Sequence, residues 1–192
     1  KFLIIYAFAL LLHTYGVFSL TLKLFSKLSV RKFFSKITKA QLVAFSTASS
    51  LATLPVNFEI CEEELNVSKE TASFVLPLGA TINMDGTALY ECIAALFIAQ
   101  AYGVDLSFGE QAIVVVTALL ASIGAAGIPM AGLVMITVVL TAIGLPLEGI
   151  GLILAVDRVL DMLRTSVNVW SDSCGAVTIA RSEKEITNVA LE

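Results

Sequence analysis

From Gln111 to Leu147 the chain carries no charged residue, a run of 37 positions. A helix that crosses a bilayer needs about 20 apolar residues, rarely beyond about 25. The run must therefore tilt extremely or fold back on itself. Its centre, SIGAAGIPMAG from Ser122 to Gly132, favours folding back. Pro129 has no N–H to donate and interrupts a helix, while Gly124, Gly127 and Gly132 permit turns and close backbone approach. Two half-length helices joined at this tip account for the length. A single kinked span would leave about 15 apolar residues outside the hydrocarbon.

Composition places the whole chain in the same solvent. Of 192 residues, 57% are hydrophobic and 15% charged, with a mean hydropathy of +0.89. Soluble domains carry about 25% charged residues, so the sequence reads as an integral membrane protein. The net charge of -4 and the sparse basic residues leave no footprint for nucleic acid. Cys61, Cys92 and Cys174 are odd in number and widely spaced, which fits neither a disulfide framework nor a metal-binding spacing. No signal-peptide pattern precedes the apolar run that opens at Lys1, and the chain reads as part of something longer.

Residues 2–26 read as a transmembrane helix, followed by Lys27, Arg31, Lys32, Lys36 and Lys39. Basic loops face the cytoplasm, which orients the rest. His13 falls mid-span, either as a functional group or as a neutral, hydrogen-bonded side chain. The segment 41–60 is too rich in Ser and Thr for a full crossing. Non-helical backbone at membrane depth survives only against protein or a wet cavity. A re-entrant hairpin with Ser49 and Ser50 near its tip fits; an interfacial helix and loop is the plainer alternative.

Residues 71–102 form a span whose middle is GATINMDGTALY. Asp85 and Asn83 lie there beside Gly86, which helps the chain leave helical geometry. A carboxylate at that depth costs several kcal/mol. A broken helix exposes carbonyl oxygens, and with Asp85 these suit Na+ or another small, hard cation. Hairpin 41–60 enters from inside and hairpin 111–147 from outside, and each is followed by a span bearing polar groups. That plan is an inverted repeat, as in secondary transporters.

The final helix, 150–181, is polar on one side. At about 100° per residue, Asp157, Asp161, Arg164, Thr165, Asn168 and Asp172 share an arc of roughly a quarter turn. Arg164 offers a planar fork to a carboxylate and Asp161 can pair with an ammonium, so the face suits a zwitterion with an extra acid group. The alternative is a purely structural network in which Asp157 or Arg158 pairs with Asp161 or Arg164. Residues 182–192 read as a cytoplasmic tail.

Four segments together, FSTASSLATLP (45–55), NMDGTALY (83–90), SIGAAGIP (122–129) and DMLRTSVNVWSD (161–172), resemble the dicarboxylate/amino acid:cation symporter family, which includes glutamate transporter homologues. The resemblance covers nearly the whole chain but only the C-terminal half of a member. It implies an all-α membrane fold of three transmembrane helices and two re-entrant hairpins, most of a transport domain that slides like an elevator. The scaffold that builds a homotrimer would lie outside it. The implied activity is symport of glutamate or aspartate with Na+, or with protons, across the cell membrane, without an organic cofactor.

Carried over by position, the substrate would meet Ser49, Ser50, Thr87, the backbone at Ile128 and Gly132, and Asp161, Arg164, Thr165 and Asn168. One cation would use carbonyls of Gly79, Asn83 and Asn168 with the Asp172 carboxylate. A second would use the backbone of Thr81, Ser122, Ile123 and Ala125, with Met84 alongside. A third would use Asn83, Asp85 and Thr87 with ligands from outside this chain. Many members carry a further arginine before the hairpin serines or after the substrate-binding aspartate; those positions are Ala48 and Met162 here. A C4-dicarboxylate or neutral amino acid carrier of the same family, an intramembrane aspartyl protease built on the buried aspartates, and a channel are the competing functions.

Overall fold

The first apolar run folds as one rod over Phe2–Ser26. It comprises α1 (Phe2–Leu12), a π-helical turn at His13–Phe18 and α2 (Ser19–Ser26). At about 1.5 Å per residue, its 25 residues are long and apolar enough to cross the hydrocarbon of a bilayer. The computed structural model describes residues 1–188 and contains ten α-helices among them. Lys27, in the left-handed conformation, ends the rod. The basic segment that follows is not a plain loop: Ser29 caps a short α3 (Val30–Lys36), accepting a hydrogen bond from the Lys32 N–H, and Phe33 inserts into the core.

Helices α4 (Thr38–Thr47) and α5 (Ser50–Glu59) form the first hairpin. Its tip is only Ala48, at φ 51°, and Ser49, in extended conformation. Ser49 caps α5 through its hydroxyl, which satisfies a helix N–H that would otherwise be orphaned. Helical structure continues past the expected end at residue 60, as a π turn over Ile60–Glu64. The second apolar span is two helices, α6 (Lys69–Ile82) and α7 (Asp85–Ala101). The interruption sits at Asn83 and Met84, and Gly86, expected to loosen the helix, lies inside α7. What Gly86 supplies is room: a Cβ there would fall 2.8 Å from the Arg164 carbonyl oxygen and 2.9 Å from Asn168 Oδ1.

The uncharged run does fold back. Helices α8 (Phe108–Gly124) and α9 (Ala131–Ala142) flank a tip at residues 125–130. Ser107 and Glu110 cap α8 reciprocally, a pairing that satisfies two orphan donors at once. The left-handed residue at this tip is Met130, φ 64°, and none of the three glycines. A short 3-10 turn (Leu147–Ile150) leads to α10 (Gly151–Ser182), a 32-residue helix.

Helix α10 is the axis of the molecule, lying against α2, α4, α5, α6 and α7. One continuous apolar core runs from Phe2 and Tyr6 through Ile60, Leu76 and Ile98 to Val177. Many large apolar side chains face outward, among them Phe8, Leu20, Phe25, Leu120 and Val134, as expected of a surface bathed in lipid. Beyond α10 the chain turns back. Glu185 accepts hydrogen bonds from the Ser68 N–H and hydroxyl and from the Thr71 hydroxyl, and the Asn188 N–H donates to the Leu65 carbonyl. Of the expected tail 182–192, positions 189–192 lie outside the described residues.

Candidate functional site

The polar arc of α10 is sunk in protein. Asp157, Asp161, Arg164, Thr165, Asn168 and Asp172 are all buried, whereas Arg158, the other potential partner of Asp157, points outward. Arg164, 1% exposed, is held between two carboxylates. Its Nη1 donates to Asp157 Oδ1 at 3.1 Å, and its Nη2 lies 2.8 Å from Asp161 Oδ1. The second contact is too bent for a hydrogen bond, so Nη2 and the buried Asp157 Oδ2 are left without hydrogen-bond partners. The guanidinium also sits 4.3 Å above the Tyr90 ring, a favourable face for a cation. A buried guanidinium with an unused donor is prepared for a further anionic acceptor.

Both hairpin tips converge on this arc. Ser50, Thr87, Ile128, Gly132, Asp161, Arg164, Thr165 and Asn168 line one cavity together with Ala48 and Met84. Its volume is about 10 Å³, so the tips are closed over it. Ser49 stands beside it; its hydroxyl donates to the Gly127 carbonyl at 2.6 Å, which the Leu51 N–H also reaches at 3.1 Å. The Met130 N–H donates to Asp161 Oδ2 at 2.8 Å. The backbone of the second tip thus occupies one oxygen of the Asp161 carboxylate. Gly132 is packed against the guanidinium, with a Cβ position 3.0 Å from Arg164 Cζ and from Thr87 Cγ2.

A second, larger cavity of about 410 Å³ lies behind the helix break, lined by Gly79, Asn83, Asp85, Asp172 and His13 among others. Asn83 Nδ2 donates to Asp172 Oδ1 at 2.8 Å, and Gly79 leaves space for that carboxylate: a Cβ would meet Oδ1 at 2.4 Å. His13 Nε2 lies 2.6 Å from Asp85 Oδ2, making His13 a hydrogen-bonded partner within the site. Between the cavities, Asn168 joins the sets: its Oδ1 accepts from the Gly86 N–H at 2.8 Å and its Nδ2 donates to Thr87 Oγ1 at 3.1 Å.

The remaining cation residues are divided. Ser122, Ala125 and Met84 are buried near the second tip. Thr81 and Ile123 have exposed side chains and line neither cavity, and the Thr81 hydroxyl is spent on the Pro77 and Leu78 carbonyls. Only their backbone oxygens are left for a cation. Ala48 and Met162 present no charge to the arc, so Arg164 alone balances Asp157 and Asp161 among the described side chains.

Glu91 was not singled out from the sequence. It is 0% exposed, and neither carboxyl oxygen has a hydrogen-bond partner. Its signal was available: a carboxylate inside the apolar helix 85–101, six positions after Asp85. The other omission is a support, the Tyr6 hydroxyl, which donates to the Gly86 carbonyl at 3.1 Å and ties the first rod to the start of α7.

A broken helix, two hairpin tips and a buried arginine between aspartates thus meet at one place in an apolar helical fold. The sodium:dicarboxylate symporter family matches residues 1–182, and the chain belongs to that family. It is 58% identical over 144 residues to human excitatory amino acid transporter 2, covering 75% of this chain and 25% of the relative. It is 57% identical over 144 residues to an excitatory amino acid transporter of Caenorhabditis elegans (75% and 29%), and 49% identical over 184 residues to rat excitatory amino acid transporter 1 (95% and 34%). The chain spans about a third or less of the length of these relatives.

Proposed function

We propose that this chain forms the solute-handling part of a secondary active symporter that moves glutamate or aspartate across the cell membrane with Na+. The observation that carries the reading is the α10 arc: the buried Arg164 Nη2 makes no hydrogen bond and can take a side-chain carboxylate, while Asp161, paired with Arg164 through one oxygen and with the Met130 N–H through the other, can exchange these for an ammonium. A C4-dicarboxylate has no ammonium for Asp161, and a neutral amino acid leaves Arg164 without its acid. Names of the relatives, excitatory amino acid transporters, point to the same solute class. Asp157 and Asp161 both face Arg164, an arrangement unsuited to the shared proton of an aspartyl protease.

In this reading α4–α5 and α8–α9 are re-entrant hairpins, the rod, the broken helix and α10 are the three crossings, and the unit moves as an elevator within a homotrimer. Substrate contacts fall to Ser49, Ser50, Thr87, Ile128, Gly132, Asp161, Arg164, Thr165 and Asn168. Na+ takes oxygens at Gly79, Asn83, Asn168 and Asp172, at Thr81, Ser122, Ile123 and Ala125 beside Met84, and at Asn83, Asp85 and Thr87. These residues supply the hard oxygen donors that such a cation requires. Glu91, buried and without a hydrogen bond, is the group best suited to carry a coupled proton. Uptake under separately imposed Na+ and pH gradients separates the two couplings.

The test is Arg164→Cys in the complete protein. Uptake of labelled aspartate is expected to fall by two orders of magnitude or more, on the order of 3 kcal/mol for removing a buried hydrogen bond to a charged group, with neutral amino acids handled in its place. Unchanged aspartate uptake overturns the assignment.

A further inference from the structure

At the foot of the first hairpin, away from the solute site, lies a charged cleft of about 420 Å³, lined by Ser35, Lys36, Thr38, Lys39, Glu59 and Glu64 among others. Two ion pairs bridge it: Lys36 Nζ lies 3.1 Å from Glu64 Oε2, and Lys39 pairs with Glu59. The bases come from α3 and α4, the acids from the end of α5 and the π turn after it. On the basic wall stands the Ser35 hydroxyl, exposed and donating to the Lys32 carbonyl at 2.8 Å.

Ser35 is the centre of a basic stripe. The segment 31–39 reads RKFFSKITK, and α3 runs on into α4 with only Ile37, itself in right-handed helical conformation, between them. At about 100° per residue, Arg31, Lys32 and Lys39 fall within about 60° of Ser35, and Lys36 at about 100°. Cations three and four positions before a hydroxyl, with another directly after it, are the charge pattern that acidic clefts of basophilic serine/threonine kinases select. Nearby hydroxyls lack it or are hidden: Thr38 has Ser35 and Phe34 at those positions, and Ser26, preceded by Lys23, is buried against Thr178. Helix α3 has seven residues and fully buries only Phe33, so the segment opens locally at low cost to enter such a cleft.

We propose that Ser35 is a phosphorylation site and that its phosphate loosens the foot of the first hairpin. The γ-phosphoryl group of ATP passes to Ser35 Oγ, its bond to the bridging oxygen of ADP breaks, ADP leaves, and the hydroxyl proton goes to the base of the kinase. The new group brings a charge of about -2 and three acceptor oxygens into the cleft. Lys36 and Lys39 line the same cleft, so the phosphate takes them from Glu64 and Glu59, and these carboxylates, with Glu63, are left facing a dianion. Repulsion then separates α5 and the π turn from α3 and α4. The inference rests on the membrane orientation proposed above, with the basic segment in the cytoplasm, where ATP and kinases meet it.

In detergent both faces of the complete protein are open, so radiolabelled ATP and the catalytic domain of a kinase of the protein kinase C type test the site alone. Label is expected on the Ser35 peptide, identified by mass spectrometry, to vanish in Ser35→Ala and to persist in Thr38→Ala. Arg31→Gln with Lys32→Gln is expected to slow labelling about tenfold, a factor that two exposed ion pairs supply. Phosphorylation is expected to speed hydrogen exchange at residues 38–41 and 59–64 about tenfold, through the two lost pairs, with α8 and α9 unchanged. In Glu59→Gln with Glu64→Gln, where the pairs are already gone, the phosphate should bring no further acceleration. An unlabelled Ser35, labelling indifferent to Arg31 and Lys32, or exchange that is unchanged or slower on phosphorylation overturns the proposal. Intact cells expressing the protein with the kinase and fed labelled phosphate test the side: label in detergent but not in these cells shows that the membrane orientation is what failed.

Discussion

The two hairpins share an outline and differ in how they are held. Helix α5 lies against α6 and both α4 and α5 lie against α10; the Lys39–Glu59 ion pair joins their bases, and Lys36–Glu64 joins the segments just outside them. Helices α8 and α9 rest mainly on α7, and their outer faces, with Val116, Leu120, Val134 and Val138, are exposed. The first hairpin has a two-residue tip; the second has residues 125–130, held at the site by Met130 N–H to Asp161 and by Gly127 against Ser49 and Leu51. An element with few buried ties and a long tip opens at a lower cost than one bedded in the core. Under the proposed function, the second hairpin is therefore the element suited to gating through its few tip contacts.

The largest expected effect comes from denying the second tip its seat. A Cβ on Gly127 would stand 2.6 Å from the Ala80 carbonyl oxygen and 3.0 Å from Leu51 Cγ, and neither backbone nor tip can yield easily. Gly127→Val in the complete protein is expected to reduce aspartate uptake by roughly a hundredfold, a loss typical of a backbone clash, with expression retained because α8 and α9 still rest on α7. Gly124→Ala, where a Cβ would meet nothing within 4 Å, is the control and is expected to transport normally. Comparable losses in both variants would mean that the tip contacts do not control closure.

An intermediate effect separates the tips from the bases. The Ser49 hydroxyl both accepts from the Ala52 N–H and donates to the Gly127 carbonyl. Ser49→Ala removes a helix cap and an inter-hairpin bond, together about 2 kcal/mol, and is expected to raise the KM for aspartate about tenfold. Ser107→Ala removes a cap of the same kind at the base of α8, at about 1 kcal/mol, and is expected to lower the thermal midpoint while leaving KM in place. A raised KM in Ser107→Ala would show that the second hairpin transmits strain from base to tip.

Much of this contrast is legible in the sequence, because lipid leaves little freedom: the uncharged run had to fold back, and carboxylates on one face of α10 had to meet one another. Features set by tertiary contact were hidden. Gly86 looked like the helix breaker, yet the break falls at Asn83, whose amide is claimed by Asp172 on another helix. Gly124, Gly127 and Gly132 were read as permitting turns and close approach, but the left-handed position of this tip is Met130, whose N–H is held by Asp161. The pairing of Asp157 with Arg164, two turns along the same helix, was by contrast open to the sequence as the structural alternative. Glu91 was passed over because it stands six positions after Asp85 in its helix, off the spacing that puts two residues on one face.

The smallest effect tests how the first hairpin is anchored below its base. The returning segment grips the start of α6 through Glu185, which takes hydrogen bonds from Ser68 and Thr71; the second hairpin has no such tie among the described residues. Partial burial pushes the Glu185 carboxyl up, but the Thr71 and Ser68 hydrogen bonds outweigh it and hold the group below its ordinary 4.5. A depressed folded value means that the unfolded chain binds the proton more readily, so the stabilisation is complete above the unfolded value and disappears as pH falls through the folded one. Glu185→Gln is therefore expected to lower the thermal midpoint by no more than about 2 °C at neutral pH, with the difference from the parent closing below pH 4.5. Hydrogen exchange at Ser68 and Thr71 should rise in this variant while α8 and α9 stay unchanged. A pH-independent difference would mean that the carboxylate charge contributes nothing to the grip, and faster exchange in α8 would mean that the two hairpins are anchored in common.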